Sequence, residues 1–370
     1  MNDLHGILFA YGPSPAMREL TQIRNICSMP YGGRYRLVDF SLSNLVNAGV
    51  TDVGVIVHSS YQSLLDHMGS GKDWDLSRKR GGLRILPPFG YSDRRIRQEY
   101  RGRMDALAGV YSYLKDIKQD YVLLADADLA ANLPISEIFE QHLRSEADIT
   151  AVCSTKIDVD PQDSNFFTAD KHGGVTGVAS YPFSANGQTS LEVYIMSKDL
   201  LMSMVDYAAT HNTPSLGEVL LDMRSRVRIA TYLHKGYAAR IRSVDSYFKH
   251  SMDLLDPAVR ADLFLPERPI RTKDQSNAST RYGSQVVSTN SLIADGCTIE
   301  GTVVNSILAR GVRVAKGAKV ENCILLQRTD VQEGAVLRCA ITDKNVVVSA
   351  GQMLMGSSSY PLVIAKDEIV

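Results

Sequence analysis

Two aspartates follow one of the most apolar segments of the chain. Asp126 and Asp128 come directly after residues 121–125 (YVLLA), a run typical of a strand that is buried on both faces. Carboxylate oxygens at the end of such a strand can bind Mg²⁺, and they can equally cap the following turn. The pair alone leaves both interpretations open.

Basic side chains are concentrated between residues 78 and 103, which include nine Lys and Arg residues. Guanidinium groups bind phosphate through paired hydrogen bonds, so part of this stretch and the arginines near the N-terminus could form a pocket for a phosphorylated effector. A solvated loop explains the same composition. The candidate phosphate- or effector-binding residues are Arg24, Arg34, Arg36, Arg78, Lys79 and Arg80.

The elements that must position these residues alternate between apolar runs and amphipathic stretches over the first 250 residues. This alternation predicts an α/β fold with a doubly wound, mostly parallel sheet, in which ligands bind beyond the carboxyl ends of the strands. The predicted strands are residues 6–10, 53–57, 121–125 and 149–153, and the predicted helices are residues 40–48, 105–117 and 134–144.

The C-terminal part has a different pattern, in which apolar residues recur at a step of six. Ile293 and Ile299 form one such pair, Val314 and Val320 another, and a glycine lies between the two members of each pair. This step predicts a parallel β-helix, and the alternative is a small β domain with irregular strands. We therefore expect three regions: an α/β domain at 1–255, a linker at 256–284 and the β-helix at 285–370.

Composition excludes several classes of partner. With 40 Lys and Arg against 41 Asp and Glu, the net charge of −1 argues against bulk binding to nucleic acid or to a membrane surface. No apolar run approaches the ~20 residues needed to span a bilayer. The start of the chain lacks signal-peptide character, and five scattered cysteines indicate reduced thiols. A cytoplasmic location is expected.

Three stretches, in order along the chain, resemble glucose-1-phosphate adenylyltransferase (ADP-glucose pyrophosphorylase), a family of bacterial glycogen synthesis. Residues 30–44 (PYGGRYRLVDFSLSN) are similar to PFGGKYRIIDFPLSN, and residues 100–106 (YRGRMDA) are similar to YRGTADA. Residues 243–247 (SVDSY), followed by 252–255 (MDLL), are similar to TIDAY and MDLL. The resemblance spans essentially the whole chain. It implies a Rossmann-like nucleotidyltransferase domain followed by a left-handed parallel β-helix of hexapeptide repeats.

The resemblance also implies an ATP-binding turn after the first strand, where backbone N–H groups cradle the phosphates. The family motif is AGGxGTRLxPLT, and residues 10–21 read AYGPSPAMRELT. Larger side chains replace two of the glycines, and two prolines add residues that cannot donate a hydrogen bond. These four departures are Tyr11, Ser14, Pro13 and Pro15.

Two basic residues of the family are missing near this turn. Ala16 stands at the motif arginine, and Ile26 stands at the lysine of the family's RAKP segment. A methyl group and an aliphatic side chain cannot stabilise charge on a transferring phosphoryl group.

The metal-binding pair of the family is only half retained. Its first aspartate falls on Asp128, whereas the second, in GYWRDVG, falls on Arg240 within residues 236–242 (GYAARIR). At about 4 Å and an effective dielectric constant of about 20, each unit charge pair interacts by roughly 4 kcal/mol, so attraction for a metal becomes repulsion. The family's sugar-phosphate segment, Glu-Lys-Pro, is matched by residues 180–182 (SYP), without the acid or the lysine.

The resemblance therefore implies a chain that keeps the scaffold of the family and lacks its charged chemistry. We expect a catalytically deficient regulatory subunit that modulates the formation of ADP-glucose from ATP and glucose 1-phosphate by a catalytic partner. It would bind no cofactor productively, whereas the partner would require Mg²⁺. We expect a mixed tetramer with that partner, a homo-oligomer when the chain is alone, and a phosphorylated small-molecule effector.

Two alternatives stay open at this point. The chain could be an active glucose-1-phosphate adenylyltransferase whose diverged phosphate loop is rescued by arginines of the 78–103 stretch. It could also be a stand-alone protein that binds an effector and has no enzymatic partner.

Overall fold

The computed structural model describes most of the chain. The described residues are 3–10, 12, 14–87, 100–157, 164–170, 173–179 and 187–370. The predicted sugar-phosphate counterpart at 180–182, and residues 88–99 of the basic stretch 78–103, lie outside them.

A nine-stranded sheet forms the centre of the N-terminal domain, with two small two-stranded sheets beside it. The strands are β1 Leu4–Ala10, β2 Pro30–Tyr31, β3 Tyr35–Arg36, β4 Asp52–Val57, β5 Gly82–Leu86, β6 Tyr121–Asp126, β7 Leu129–Ala131, β8 Ile149–Ser154, β9 Phe166–Ala169, β10 Val175–Ala179, β11 Gln188–Ser197, β12 Ile229–Leu233 and β13 Ala238–Arg240. The main sheet runs β10-β9-β11-β6-β1-β4-β5, and β8 joins β11 to β12.

The four strands predicted from apolar runs are confirmed as β1, β4, β6 and β8. β1 pairs in parallel with β4 and β6, so these three strands end at the same edge of the sheet. β11 runs antiparallel to β6, β8 and β9, which makes the whole sheet mixed. Each of β1, β4, β6 and β8 is almost wholly buried, because helices cover both faces.

Helices cover the sheet and connect its strands. They are α1 Leu37–Asn47, α2 Gln62–Met68, α3 Arg103–Gly109, α4 Tyr111–Asp116, α5 Ile135–Ser145, α6 Lys198–His211, α7 Leu216–Met223, α8 Val244–Asp253 and α9 Pro257–Leu263. The helix predicted at 105–117 is divided at Val110 into α3 and α4. Ser243 caps α8 by accepting a hydrogen bond from the Ser246 amide, which fixes the backbone just after Arg242.

The C-terminal domain is a left-handed parallel β-helix built from three five-stranded parallel sheets. The strands are β14 Arg281–Tyr282, β15 Val287–Thr289, β16 Leu292–Ile293, β17 Thr298–Ile299, β18 Thr302–Val304, β19 Ile307–Leu308, β20 Arg313–Val314, β21 Lys319–Glu321, β22 Ile324–Leu325, β23 Asp330–Val331, β24 Val336–Arg338, β25 Ala340–Thr342, β26 Val347–Val348, β27 Met353–Met355 and β28 Leu362–Ile364. The six-residue step is confirmed, since Val314 in β20 and Val320 in β21 are buried on adjacent sheets of one coil.

The region between the domains is more ordered than a simple linker. It contains α9, and the first β-helix strand begins at Arg281, four residues before the start expected from the sequence. One hydrophobic cluster joins both domains, with Phe40 and Tyr247 on one side and Ile307, Ile324 and Ile341 on the other. The β-helix is therefore packed against the N-terminal domain.

All five cysteines are buried. In the described part of the chain, no helix combines the length and the apolar composition that crossing a membrane requires.

Candidate active site

A pocket of about 450 Å³ lies at the carboxyl ends of the parallel strands, where the fold predicts a ligand site. Ala10 at the end of β1 and Val57 at the end of β4 line it, together with His58 and residues 100–103. We call this cavity the strand-end pocket. Its position follows from the register of β1 with β4 and β6, which brings their carboxyl ends to one edge.

Ser14, which follows β1 in the chain, has a hydrogen-bond acceptor for both its amide and its hydroxyl. The Ser14 amide donates to Thr21 Oγ1 at 3.2 Å, and the Ser14 hydroxyl donates to the carbonyl oxygen of Arg242 at 3.2 Å. Ala16 is exposed and presents only a methyl group. The Ser14 amide is thus bonded to the side chain of Thr21, at the end of the 3₁₀ helix Pro15–Thr21, and is not directed to a phosphate. Tyr11 and Pro13 lie outside the described residues.

Ile26 lines the strand-end pocket and is 3% exposed. It begins a short 3₁₀ helix, Ile26–Ser28, which Asn25 caps through its side-chain oxygen. An aliphatic wall therefore stands where the resemblance implies a lysine.

Asp126 and Asp128 are completely buried at the end of β6 and just after it. Arg103 holds Asp126 through two hydrogen bonds, from Nε at 3.0 Å and from Nη2 at 2.5 Å. Arg242 donates from Nε to Asp128 Oδ2 at 2.6 Å and from Nη2 to Asp126 Oδ2 at 3.0 Å. Both carboxylates are thus bonded to arginines.

Arg240 is buried next to the same acids. It is the last residue of β13, which pairs with β7 and so aligns Arg240 with Leu129. Its Nη1 donates to Ser164 Oγ at 3.0 Å, and its Nε lies 4.0 Å from Asp128 Oδ1. Asp128 Oδ1 and Arg240 Nε both lack a hydrogen bond. They interact with each other only as opposite charges 4.0 Å apart. The side chain of Arg240 therefore lies beside Asp128 within the site.

A third buried acid, Glu192, completes the group. It lies at an irregularity in β11 with φ of 57°, a left-handed conformation that glycine adopts more easily. Its carboxylate is 2.7 Å from Arg103 Nη1 and accepts hydrogen bonds from the Asn165 side chain and the Tyr194 hydroxyl. We call Arg103, Arg240, Arg242, Asp126, Asp128 and Glu192 the arginine–carboxylate cluster.

The cluster is balanced in formal charge, with three guanidinium groups and three carboxylates. Burial alone would raise the pKa of Asp126, but Arg103 and the other arginines outweigh it, so the net pKa is below its usual value. The Mg²⁺ that the family uses does not fit this donor set, because the carboxylate oxygens already face guanidinium groups. Among the described residues, no group of three His, Cys, Asp or Glu side chains could hold a metal.

A second cavity, of about 590 Å³, lies between the two domains. Arg34 and Arg36 line it from the N-terminal domain, and Arg310, Arg328 and Lys344 line it from the β-helix. We call it the interdomain cleft. It brings together two of the basic residues predicted from sequence and adds three that sequence reasoning missed.

The other predicted basic residues lie elsewhere. Arg24 is 2% exposed and forms a bidentate ion pair with Asp343, at 2.8 and 2.9 Å, which ties the two domains together. Arg78 is exposed and paired with Asp75. Arg80 lines a separate cavity at the amino ends of β1, β4 and β5, and Lys79 is exposed without lining the cleft. The predicted set is therefore distributed over several sites.

Two basic residues of the cleft have unusual properties, Lys344 in its pKa and Arg328 in its backbone conformation. Burial, and then the positive charges of Arg36 and Arg24, lower the pKa of Lys344 to about 7. Arg328 has φ of 60° at a β-helix corner where the preceding coil has Gly311. Arg328 therefore combines a left-handed backbone with a place in a cavity lined by other basic side chains.

Comparison with known proteins places the chain among nucleotidyltransferases. A family described as nucleotidyl transferase matches residues 5–231, and one described as GlmU-like, C-terminal hexapeptide matches residues 275–358. The chain is 32% identical to the glycogen biosynthesis protein GlgD of Bacillus subtilis (strain 168), over 99% of this chain and 96% of that protein. It is 33% identical to GlgD of Geobacillus stearothermophilus, over 86% and 83% of the two chains. It is 30% identical to glucose-1-phosphate adenylyltransferase of the same organism, over 85% and 82%.

Proposed function

The chain belongs to the nucleotidyl transferase family, in the group that contains GlgD and glucose-1-phosphate adenylyltransferase, and from this membership we propose that it is a regulatory subunit without catalytic activity of its own. It acts in glycogen biosynthesis, the process named in its GlgD relatives. It modulates a catalytic partner that forms ADP-glucose from ATP and glucose 1-phosphate, and like that partner it works in the cytoplasm.

The observation that carries this proposal is the state of Asp128. Its carboxylate is bonded to Arg242 at 2.6 Å and faces Arg240, which stands where the family motif has the second metal-binding aspartate. Phosphoryl transfer depends on metal ions and cationic groups that neutralise charge on the transferring group. Ala16 and Ile26 remove two of those cationic groups, and the cluster removes the metal ligands.

Regulation requires that this subunit bias the conformation of its partner. A subunit contact changes the partner's activity only through a difference in binding free energy between two of its states. The open sheet edges at the end of the β-helix suit contacts between subunits. We propose a mixed tetramer with the catalytic subunit and a homo-oligomer when the chain is alone.

The interdomain cleft supports an effector site. Arg34, Arg36, Arg310, Arg328 and Lys344 converge on one cavity, and paired guanidinium groups suit a phosphorylated small molecule. Asp295 pairs with Arg310 at 3.1 Å and offsets one of these five basic residues. The lining of the cleft therefore keeps a strong excess of positive charge. Because both domains line it, a bound anion would stabilise one arrangement of the two domains.

The alternative function is an active glucose-1-phosphate adenylyltransferase. The strand-end pocket favours it, since a volume of about 450 Å³ is within the range of small-molecule sites. Of the arginines proposed to rescue the phosphate loop, Arg103 is engaged with Asp126 and Glu192, and Arg101 pairs with Asp105 near the surface.

The test is a mixing experiment. Pyrophosphate release from ATP and glucose 1-phosphate is measured for a catalytic homologue while this chain is added in increasing amounts. We expect kcat, KM or the response to a phosphorylated effector to change and to saturate at a fixed ratio. An unchanged homologue would contradict the regulatory function and favour a stand-alone effector-binding protein.

A further inference from the structure

The arginine–carboxylate cluster differs from a site that has merely lost one ligand. We propose that its guanidinium groups occupy the place of the divalent cation, so that an aspartate restored at position 240 cannot by itself restore metal binding. This inference rests on the proposed function, because it explains at atomic level why the chain would lack activity. It concerns Arg103 and Arg242, which lie within two of the family motifs, and Glu192, which lies outside them.

Arg242 binds both buried acids, Asp126 and Asp128, with one guanidinium group. One guanidinium group donates to Asp128 Oδ2 at 2.6 Å and to Asp126 Oδ2 at 3.0 Å, so it joins the two carboxylates. Its backbone is held just before the Ser243 cap of α8, and its carbonyl oxygen accepts from Ser14. The position of Arg242 is therefore fixed by the fold and does not depend on Arg240.

Arg103 extends the cluster to Glu192. It bonds Asp126 through Nε and Nη2, and its Nη1 lies 2.7 Å from Glu192 Oε2. Its side chain is 12% exposed, and both acids are completely buried. Because an unpaired buried charge is costly, Glu192 at its left-handed backbone position depends on Arg103 for compensation.

The family motifs show that these cations are additional to the loss at Arg240. Arg103 stands at the threonine of YRGTADA, and Arg242 stands at the last glycine of GYWRDVG. Small uncharged residues have thus become arginines at two further positions, and all three arginines converge on two acids. A site that had only lost its metal would have no need of Arg103 and Arg242 on those carboxylates.

Manganese is the probe that separates the two explanations, because Mn²⁺ accepts the same oxygen ligands as Mg²⁺. Binding of Mn²⁺ is measured by calorimetry or electron paramagnetic resonance for the wild type, R240D, R242G and R240D/R242G. The matched control is R240D/R101G, which removes an arginine that lines the same pocket but pairs with Asp105 near the surface. Restored activity is not needed for this readout.

We expect R240D and R240D/R101G to bind Mn²⁺ no better than the wild type, and R240D/R242G to bind it at least about tenfold more tightly, a difference of about 1.4 kcal/mol. If R240D alone binds as tightly as R240D/R242G, the inference is wrong and a missing ligand is the whole explanation. That result would leave the proposed function intact, since the mixing experiment uses the wild-type chain.

A variant is also needed for the case that R240D/R242G does not fold, because it adds one buried carboxylate and removes two guanidinium groups. R240N/R242G then replaces it, because asparagine offers an oxygen ligand without a further buried charge. Metal binding to the folded state alone raises its stability, so Mn²⁺ should raise the Tm of R240N/R242G and leave that of R240N unchanged. Equal shifts in both variants would overturn the inference.

Discussion

When a buried arginine faces a buried acid, removal of either partner lowers the free energy of unfolding. Breaking a buried pair by deleting one side costs about 3–5 kcal/mol, since the other charge stays behind without compensation. In the arginine–carboxylate cluster, Arg103 serves two acids, Asp126 and Glu192. Removing a single member of the cluster should therefore destabilise the domain, because its partners would stay buried without compensation.

A double-mutant cycle measures this dependence. We expect R103T and E192G each to lower the free energy of unfolding by several kcal/mol, and the double variant to lose less than the sum by about 1–3 kcal/mol. Glycine suits the left-handed backbone at Glu192, so that replacement adds no strain. Urea unfolding provides the measurement.

The control is the same cycle on Arg101 and Asp105, whose side chains are 49% and 28% exposed. Coupling there should stay below about 1 kcal/mol. Additive effects of R103T and E192G would show that the two residues do not act as a pair.

The amine of Lys344 provides a pH test of the interdomain cleft. Its pKa is lowered to about 7, so in the free protein it loses its charge as the pH rises through that value. A bound anion favours the charged amine, and binding above pH 7 must therefore take up a proton. Sulfate keeps its own charge throughout, so its affinity should fall as the pH rises above about 7, by up to about tenfold per unit.

Calorimetric titration with sulfate at several pH values checks this prediction. K344M should bind sulfate weakly with little pH dependence, whereas the exposed control K79M should keep the wild-type pH profile. Of the other groups near Lys344, Arg36 stays charged although burial lowers its pKa to about 10, and burial also lowers the pKa of His67. Asp343 and Lys366 also act on Lys344. A wild-type affinity that is constant across this range would contradict the assignment.

At the scale of elements, the spacing of apolar residues in the sequence predicted the buried strands and the coils of the β-helix, which depend on that spacing. Apolar runs located β1, β4, β6 and β8, and the six-residue step located the β-helix coils. The antiparallel strands around β11 escaped prediction, because β9 and β10 are only four and five residues long and Glu192 interrupts the apolar run of β11 at 191–196 (LEVYIM). The role of Glu192 escaped as well, since only its positive φ and its buried partners identify it.

The cleft residues escaped for a different reason. Arg34 and Arg328 lie far apart in the sequence, and only the coil register of the β-helix brings them to one cavity. Sequence reasoning instead grouped Arg34 and Arg36 with Arg78, Lys79 and Arg80, because these arginines and lysines are the nearest dense run of charge. Proximity along the chain is a poor guide where a second domain supplies half of a site.

The β-helix corner at Arg328 offers a test that separates stability from binding. We expect R328G to raise the free energy of unfolding by up to about 1 kcal/mol, because glycine adopts a positive φ without strain. The same variant should bind sulfate more weakly, because the cleft loses a guanidinium group. Urea unfolding and calorimetry measure the two effects.

Asn322 is the matched control, since it has φ of 52° at another corner and does not line the cleft. N322G should leave sulfate binding unchanged. An R328G variant that loses stability and keeps its affinity for sulfate would show that the arginine is structural.

At the scale of the whole molecule, the two domains are joined by a shared apolar cluster and by one buried ion pair. Arg24 and Asp343 are 2% and 0% exposed, and they connect the segment after the N-terminal turn to the β-helix. Arg18, at φ of 46°, adds a cation–π contact with the Tyr360 ring at 4.1 Å. The two domains are therefore held together by an apolar cluster, a buried ion pair and a cation–π contact.

Breaking the buried pair should destabilise the whole chain. We expect D343A to cost about 3–5 kcal/mol, because Arg24 would remain buried without a partner. R24M/D343L should recover most of that loss. R144A, which removes one side of the exposed pair Arg144–Glu140, should change stability by less than about 0.5 kcal/mol. Equal effects of D343A and R144A in thermal or urea unfolding would contradict an interdomain role.

The most direct test of the central claim is the rate of pyrophosphate release by the purified chain alone. The assay supplies saturating Mg²⁺, ATP and glucose 1-phosphate, with a catalytic homologue measured in parallel. Because the acids that would bind the metal are held by arginines, we predict a rate at least about a thousandfold below that of the homologue, equivalent to about 4 kcal/mol of transition-state stabilisation. A rate within about tenfold of the homologue would contradict the account.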